Sequence, residues 1–114
     1  MKPNPARGDV WLTTFDPVRE NEQGGTRPAV IVSADIFNSG GARRVIAVPI
    51  TTRERRLPLH VPITPPEGGL RQPSFAKCED IRSITIVRLL ERWGSVSSDT
   101  IAMIEDRLRT LLDL

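Results

Sequence analysis

The chain has 114 residues, a length that fits one ordinary domain spanning residues 1–114. Its single cysteine, Cys78, excludes an internal disulfide and any paired-cysteine zinc or redox site, which favours a reducing compartment, the cytoplasm. The formal net charge of +2 does not by itself indicate a nucleic-acid partner, and no apolar run approaches the roughly 18 residues of a membrane helix. The composition therefore predicts a cytoplasmic protein that is not inserted in a membrane.

Three strands are predicted in the first half of the chain. Val10–Phe15 begins with apolar residues, and Ala29–Val32 is apolar without alternation, which is typical of a central strand covered on both faces. Between the second and third strands, Ala34–Gly41 is predicted to form one short helical turn. Arg43–Thr51 is the third strand, and Pro49 predicts a bulge or an edge within it because proline has no N–H for the ladder.

Three further strands are predicted in the second half. Leu59–Thr64 alternates between apolar and other residues, as a half-exposed strand does. Pro65–Pro73 is rich in proline and glycine and is predicted to be a loop. Ser74–Ile84 and Leu89–Val96 are predicted to be strands joined by a short turn.

The period of the apolar residues changes at the end of the chain. From Ser98 onward they recur at three- and four-residue steps, which predicts one amphipathic helix capped by Ser97 or Ser98. Short strands with Gly/Pro turns, followed by a helix, predict a mainly β fold with a C-terminal α-helix. Such a chain favours a small twisted β-barrel over alternating β-α units.

Six short motifs occur in a fixed order along the chain. They are RGDVWL at 7–12, FDP at 15–17, EQGGTRPAVIVS at 22–33, FN at 37–38, VPITT at 48–52 and IRSI at 81–84. Together they resemble the MazF/PemK toxins over nearly the whole chain. The resemblance implies an SH3-like barrel of the kind shared with the gyrase poison CcdB, and a homodimer. It also implies cleavage of RNA without a metal or other cofactor, until a cognate MazE-like antitoxin blocks it.

Cleavage of RNA without a metal uses the 2′-hydroxyl of the substrate as nucleophile. The protein must then supply a base, an acid and a cation for the developing phosphorane charge. The chain has one histidine, which excludes a two-histidine mechanism within one subunit, and 14 of its 16 basic residues are arginine. Guanidinium groups bind phosphate in bidentate fashion, although a GC-rich genome would produce the same bias.

Arg27 and Thr51 are the leading catalytic candidates. Arg27 lies between the Gly24-Gly25 pair and Pro28, at the start of a predicted rigid strand, and the arginine of the family's G-x-RP motif falls on it. It would stabilise the phosphorane; the alternative is an arginine paired with a nearby acid. Thr51 matches the family's P-x-T pattern and could position a phosphate oxygen or the 2′-hydroxyl. Without that pattern it would be read as an ordinary strand residue.

The segment before Arg27 carries three more candidates. The family's acidic EQ position falls on Glu22, which could be a base or orient Arg27. Gln23 could hydrogen-bond a base edge of the RNA or the loop backbone. Asn21 stands where the family commonly has serine or histidine; an amide cannot act as a base, so Asn21 is predicted only to contact RNA.

Lys77 and Glu79 form a second predicted constellation. Two residues apart on a predicted strand, they should project from the same face. The KCE triplet matches one that the PemK branch is thought to use, with Glu79 as base and Lys77 as a phosphate cation or acid. The alternative is an exposed ion pair worth at most about 1 kcal/mol.

Four further arginines complete the predicted RNA-binding set, namely Arg53, Arg55, Arg56 and Arg82. The first three lie in the charged connection TRERRLP, where a merely solvated charge run is the alternative. His60 is predicted to be a surface or half-buried packing residue. Trp11 and Trp93 are predicted to be core or interface anchors rather than platforms for base stacking.

Together, these features predict a homodimeric endoribonuclease toxin that cleaves single-stranded RNA, in the cell mRNA, at a short sequence. Single strands are favoured because the 2′-hydroxyl must swing into line with the scissile bond, which an A-form duplex prevents. Two alternatives stay open at this point. One is an inhibitor of DNA gyrase that acts by protein binding, and the other is an RNA-binding module without catalysis.

Overall fold

The computed structural model describes residues 4–15 and 25–114, and within them the chain forms seven strands and two α-helices. The elements are β1 Asp9–Thr14, β2 Thr26–Ile31, α1 Asp35–Asn38, β3 Arg44–Thr51, β4 His60–Ile63, β5 Ser74–Lys77, β6 Arg82–Thr85, β7 Leu89–Ser95 and α2 Ser98–Leu112. Three 3-10 turns lie at Glu67–Gly69, Cys78–Asp80 and Ile86–Arg88. The predicted mainly β fold with a C-terminal helix is confirmed.

The strands form one antiparallel sheet in the order β4-β5-β3-β2-β1-β7, with β6 paired to the first half of β3. The path does not close on itself, since β4 and β7 stand at its two ends in the described part of the chain. It is a curled, barrel-like sheet. Neither helix in the described part of the chain combines the length and the apolar composition that a bilayer span requires.

The central strands are buried on both faces. Val10, Val30 and Val48 belong to a core cluster that includes Ile104 of α2. Alternate residues of the same strands, among them Ala29, belong to a second cluster on the opposite face. This confirms the central strand predicted from the unbroken apolar run at Ala29–Val32.

The prediction of one continuous strand over Ser74–Ile84 is wrong. Ala76 pairs with Ile50, and Arg82 pairs with Ala47. Arg82 follows Ala76 by six residues, whereas their partners on β3, Ala47 and Ile50, are only three residues apart. The three extra residues, Cys78–Asp80, pair with no residue of β3 and form a turn.

Pro49 lies beside this interruption. It pairs with Ala29 on β2 without a register shift, so β3 carries no bulge there, but on its other side Pro49 has no partner strand, as the predicted edge requires. On its other side β3 changes partner from β6, which pairs up to Ala47, to β5, which pairs from Ile50. A residue without an N–H is tolerated there because no partner strand requires a donor at that step.

Two hydrogen bonds of Ser97 stabilise the N-terminus of helix α2. The Ser97 side chain accepts a hydrogen bond from the Thr100 N–H at 3.2 Å, which confirms Ser97 as the N-cap. The Ser97 N–H in turn donates to the Glu67 carboxylate at 2.9 Å. Burial would raise the pKa of Glu67, but hydrogen bonds from Thr100 and Ser97 outweigh it and lower the pKa below its ordinary 4.5.

We expect Glu67→Gln to lower the free energy of unfolding at pH 7 by roughly 0.5–1 kcal/mol, because it removes a negative charge beside a helix N-terminus. Because folding lowers the pKa of Glu67, its contribution is present above about pH 4.5 and is lost as pH falls through the folded value. Urea titrations should show a smaller difference in the free energy of unfolding between wild type and Glu67→Gln at pH 3.5 than at pH 7. Glu54→Gln, in an exposed connection, is the matched control, and an equal difference at both pH values would contradict the cap.

Candidate functional site

Arg27 and Thr51 reach the same end of the sheet from two neighbouring strands. Arg27 is the second residue of β2, and Thr51 is the last residue of β3. Ala29 pairs with Pro49, and this register continued by two residues brings Arg27 level with Thr51. Both side chains line two adjoining hollows, which share Arg27, Thr51 and Thr52. The juxtaposition joins residues 24 positions apart in the sequence.

The smaller hollow, called the cationic hollow below, has a volume of about 340 Å³. Its lining residues are Arg27, Thr51, Thr52, Arg53, Arg55, His60 and Lys77. Four of these are cations, and no carboxylate of the described residues lines it. A concave surface with charge of one sign concentrates the opposite charge, so this hollow is suited to a phosphate-bearing ligand.

The larger hollow has a volume of about 600 Å³ and a mixed lining. Pro28, Ile50 and Leu70 supply apolar surface, while the turn before β5 and the edge strand β7 supply polar groups. Those polar or amphipathic residues include Arg71, Gln72, Ser74, Glu91, Arg92 and Trp93. Hollows of this size with a few directed polar groups commonly bind organic ligands.

The Thr51 side chain also shapes the connection that follows it. Its hydroxyl oxygen accepts a hydrogen bond from the Arg53 N–H at 3.1 Å. The bond turns the chain directly after β3, so that Arg53 and Arg55 line the cationic hollow. The hydroxyl can still donate its own proton to a ligand oxygen.

Lys77 and Glu79 do not share a strand face, and that prediction is wrong. Lys77 is the last residue of β5, whereas Glu79 lies in the turn formed by the three extra residues. The Lys77 ammonium lies 3.0 Å from an Asp80 carboxylate oxygen. The Glu79 carboxylate lies 2.8 Å from His60 Nε2. Lys77 and His60 line the cationic hollow, whereas Glu79 contacts His60 and lines neither of the two hollows.

His60 is more buried than predicted, because its side chain is only 2% exposed. Burial would raise the pKa of Glu79, but the hydrogen bond from His60 and the nearby charge of Lys77 lower it. Glu79 is therefore an ionised group that orients the His60 ring. Burial, with the Glu79 charge, raises the pKa of the Cys78 thiol to about 11, so this thiol is un-ionised near neutral pH.

The other predicted RNA-binding residues lie apart from the two hollows or outside the described residues. The Arg82 guanidinium lies over the Phe15 ring, 5.4 Å from its centroid, and lines neither hollow. Arg56 lines neither hollow either, although its neighbour Arg55 does. Asn21, Glu22 and Gln23 lie outside the described residues. Within those residues, no group of three or more His, Cys, Asp or Glu side chains could hold a metal ion.

A family of known proteins matches the chain over residues 6–112, nearly its whole length. The family is described as PemK-like, MazF-like toxin of type II toxin-antitoxin system. The chain belongs to this toxin family. The resemblance carried by the six motifs is thereby confirmed.

Individual MazF proteins show the same relationship. The chain is 35% identical over 113 residues to Endoribonuclease MazF9 of Mycobacterium tuberculosis (strain ATCC 25618 / H37Rv), which covers 95% of this chain and 96% of that one. A crystal structure of MazF from Deinococcus radiodurans superposes with a TM-score of 0.83 at 30% identity, covering 100% of this chain and 99% of the other. A MazE-MazF structure from the same organism has a TM-score of 0.80 at 26% identity and covers 98% of each chain. The barrel-like MazF fold is thus confirmed.

Several residues that line the larger hollow were not predicted from the sequence. Arg71 and Gln72 lie in a predicted loop, while Glu91, Arg92 and Trp93 lie in a predicted strand, and none belongs to the motifs that carry the resemblance. Of the two tryptophans predicted to be anchors, Trp11 is a core residue. Trp93 is 36% exposed, which is incompatible with a core position. In the sequence, only the charged pair Glu91 and Arg92 directly before Trp93 indicates a polar surface on this predicted strand.

Proposed function

We propose that the protein is a sequence-specific endoribonuclease toxin, an mRNA interferase that cleaves single-stranded RNA. The proposal rests on one observation above all. Arg27 and Thr51, which come from different strands, both line a cationic hollow suited to a phosphodiester. The family match and the similarity to an endoribonuclease support it. A gyrase poison or a non-catalytic RNA-binding module is not favoured by these relatives.

In the proposed reaction, the ribose 2′-oxygen attacks the adjacent phosphorus and loses its proton to a base. The bond from phosphorus to the 5′-oxygen breaks, and that oxygen takes up a proton, leaving a 2′,3′-cyclic phosphate and a 5′-hydroxyl. The positively charged fork of Arg27 stabilises the extra negative charge of the phosphorane. The hydroxyl of Thr51 orients a phosphate oxygen or the 2′-hydroxyl.

The acid-base roles are assigned to a small set of residues. Glu22 and Glu79 are the proposed bases, and Glu79 would act through His60, because His60 lines the cationic hollow and Glu79 does not. Lys77 lines the same hollow and is proposed as a phosphate cation or acid. Arg53 and Arg55 would bind flanking phosphates. Asn21, Arg56 and Arg82 are proposed to contact RNA, and Gln23 to hydrogen-bond a base edge or the loop backbone.

We expect the purified protein to cleave a mixture of single-stranded RNAs in the presence of EDTA. The 5′ ends should be hydroxyls that a polynucleotide kinase labels without prior phosphatase treatment. Replacing the ribose at the cut with 2′-deoxyribose should stop cleavage, because the nucleophile is then missing. A folded protein that cuts none of many sequences would count against the proposal.

The partners follow from the same relatives. One of the matched structures is a MazE-MazF structure, and another is an endoribonuclease with its cognate antitoxin. We propose a MazE-like antitoxin for this chain, a small protein with an acidic segment whose carboxylates occupy the cationic hollow in place of phosphates. A homodimer, a single domain over residues 1–114 and a cytoplasmic location complete the proposal.

The cations of the cationic hollow allow the salt dependence of RNA binding to be predicted quantitatively. For single-stranded nucleic acid, each neutralised phosphate contributes about −0.7 to the slope of log affinity against log salt. Arg55→Gln should reduce the magnitude of the slope by about 0.7, since Arg55 lines the hollow. Arg56→Gln should change it less, because Arg56 lies outside both hollows, and Arg109→Gln on α2 is the control. Fluorescence anisotropy with a 2′-deoxy-substituted RNA measures the slopes, and equal slopes for all three variants would contradict the assignment.

A further inference from the structure

The edge strand β7 carries a β-bulge at Trp93. Val10 of β1 pairs with Gly94, and the next residue, Trp11, pairs with Arg92. Trp93 is thus the extra residue on the bulged strand. Consecutive residues of a regular strand point to opposite faces, and a bulge changes this direction locally. A second register shift follows between Leu12 and Thr13, so Glu91 and Arg92 lie between two irregularities of the strand, and Glu91, Arg92 and Trp93 all line the larger hollow.

Close backbone contacts hold the bulge in place. A Cβ on Gly69 would lie 2.2 Å from the Trp93 carbonyl oxygen, and a Cβ on Gly94 would lie 2.9 Å from the Gly68 carbonyl carbon. The Glu67–Gly69 turn therefore packs directly against the bulge, at a distance that only glycine allows. Trp93 and its neighbour are fixed by backbone packing, which is a precondition for selective binding.

The Arg92 side chain is oriented by a buried acid. Asp9 is only 5% exposed, and its carboxylate accepts hydrogen bonds from Arg92 Nε at 3.1 Å and from Trp11 Nε1 at 3.1 Å. The Arg92 side chain is itself 52% exposed. Because Asp9 holds Nε, the two terminal nitrogens form a pre-oriented pair of donors on the larger hollow.

The chemistry of the larger hollow matches one nucleobase better than the others. Arginine donates two hydrogen bonds to O6 and N7 of guanine, and a carboxylate accepts from the N1–H and the 2-amino group on its other edge. Arg92 and Glu91 supply this pair of groups, and Trp93 adds an exposed aromatic face for stacking. Adenine places an amino donor beside N7, against the arginine donors. Pyrimidines have no counterpart of N7.

We propose that the larger hollow is a guanine-binding pocket, which selects RNA with guanine within two nucleotides of the cut. Arg92 reads O6 and N7, Glu91 reads the N1 and N2 edge, Trp93 stacks on the ring and Asp9 positions Arg92. The proposal rests on the proposed ribonuclease function. It assigns specificity to the larger hollow and leaves cleavage to Arg27 and Thr51 at the boundary with the cationic hollow.

Sequencing the 5′ ends of RNA cut by the wild-type protein is the first test. Guanine should be enriched at one position within two nucleotides of the cut. Enrichment of another base, or of none, would overturn the proposal while leaving the ribonuclease function standing. Absence of any cutting would instead contradict the proposed function itself, so the two failures are distinguishable.

Base analogues then test the two contacts separately. In an RNA with 2′-deoxyribose at the cut, 7-deazaguanine should weaken binding to the wild-type protein about tenfold, because N7 is missing. The same change should have less than a twofold effect on Arg92→Gln. Inosine, which lacks the 2-amino group, should also weaken binding to the wild-type protein about tenfold and should change binding to Glu91→Gln less than twofold. Equal losses in wild type and variant would overturn the corresponding contact.

Two further variants separate a specific pocket from a general surface. Trp93→Ala should weaken binding of every base at that position to a similar extent, because stacking depends little on base identity. Arg109→Gln, an exposed arginine on α2 that lines neither hollow, should retain the guanine preference. Circular dichroism of each variant checks that it is folded. Loss of the preference in Arg109→Gln would overturn the assignment to Arg92.

Discussion

Arg27→Ala should lower the rate of RNA cleavage by about 10²–10³-fold, because removal of one group that stabilises transition-state charge commonly costs this much. Binding of a 2′-deoxy-substituted RNA should fall by less than about tenfold, since other cations of the cationic hollow remain. The comparison separates catalysis from binding because only the phosphorane carries the added charge that Arg27 stabilises. Single-turnover cleavage and anisotropy measure the two quantities.

Two matched variants sharpen this expectation. Arg27→Lys keeps the charge but loses the bidentate fork, so its cleavage rate should lie between those of wild type and Arg27→Ala. Arg109→Ala removes an exposed arginine from α2 and should leave cleavage within about twofold of wild type. If Arg27→Ala lost binding and cleavage in equal proportion, Arg27 would be a binding residue, and the assigned stabilisation of the phosphorane would be wrong.

Gly69→Ala should reduce the free energy of unfolding by about 3 kcal/mol. Gly69 has φ of +71°, and an added Cβ would lie 2.2 Å from the Trp93 carbonyl oxygen and 2.7 Å from its carbonyl carbon. Left-handed backbone strain alone costs on the order of 1–3 kcal/mol for a residue with a side chain, and the clash with β7 adds to it. Urea titration measures the loss.

Gly41→Ala is the matched control, because nothing lies within 4 Å of a Cβ at that position. Its free energy of unfolding should stay within about 0.5 kcal/mol of wild type. A Gly69→Ala protein as stable as the control would show that the turn at Glu67–Gly69 does not pack against Trp93. The bulge would then lack the backbone support described above.

Much of the fold could be predicted from local patterns. The apolar runs at Val10–Phe15 and Ala29–Val32 correspond to β1 and β2, and the final helix begins after the predicted cap Ser97. Such patterns depend on residues two to four positions apart, so they need no knowledge of a partner strand. The single strand predicted over Ser74–Ile84 failed because its course depends on how many residues β3 presents opposite it.

The candidate site was predictable only in part for the same reason. Arg27 and Thr51 were found through family motifs, and the structure places both on one hollow, while their catalytic roles stay predictions. Lys77 and Glu79 were expected on one face because alternation was assumed across the interrupted strand. Glu79 instead contacts His60, which lies 19 positions earlier in the chain.

The sequence by itself determined the family, the mainly β class, the terminal helix and the central strand at Ala29–Val32, because these depend on motifs and short-range periodicity. Only the tertiary structure decided that Trp93 is an extra residue in its strand, that Asp9 orients Arg92, and that Glu79 binds His60. Each of these depends on the register between strands distant in the chain. Register is set by the packing of whole strands against one another, and no short stretch of sequence records it.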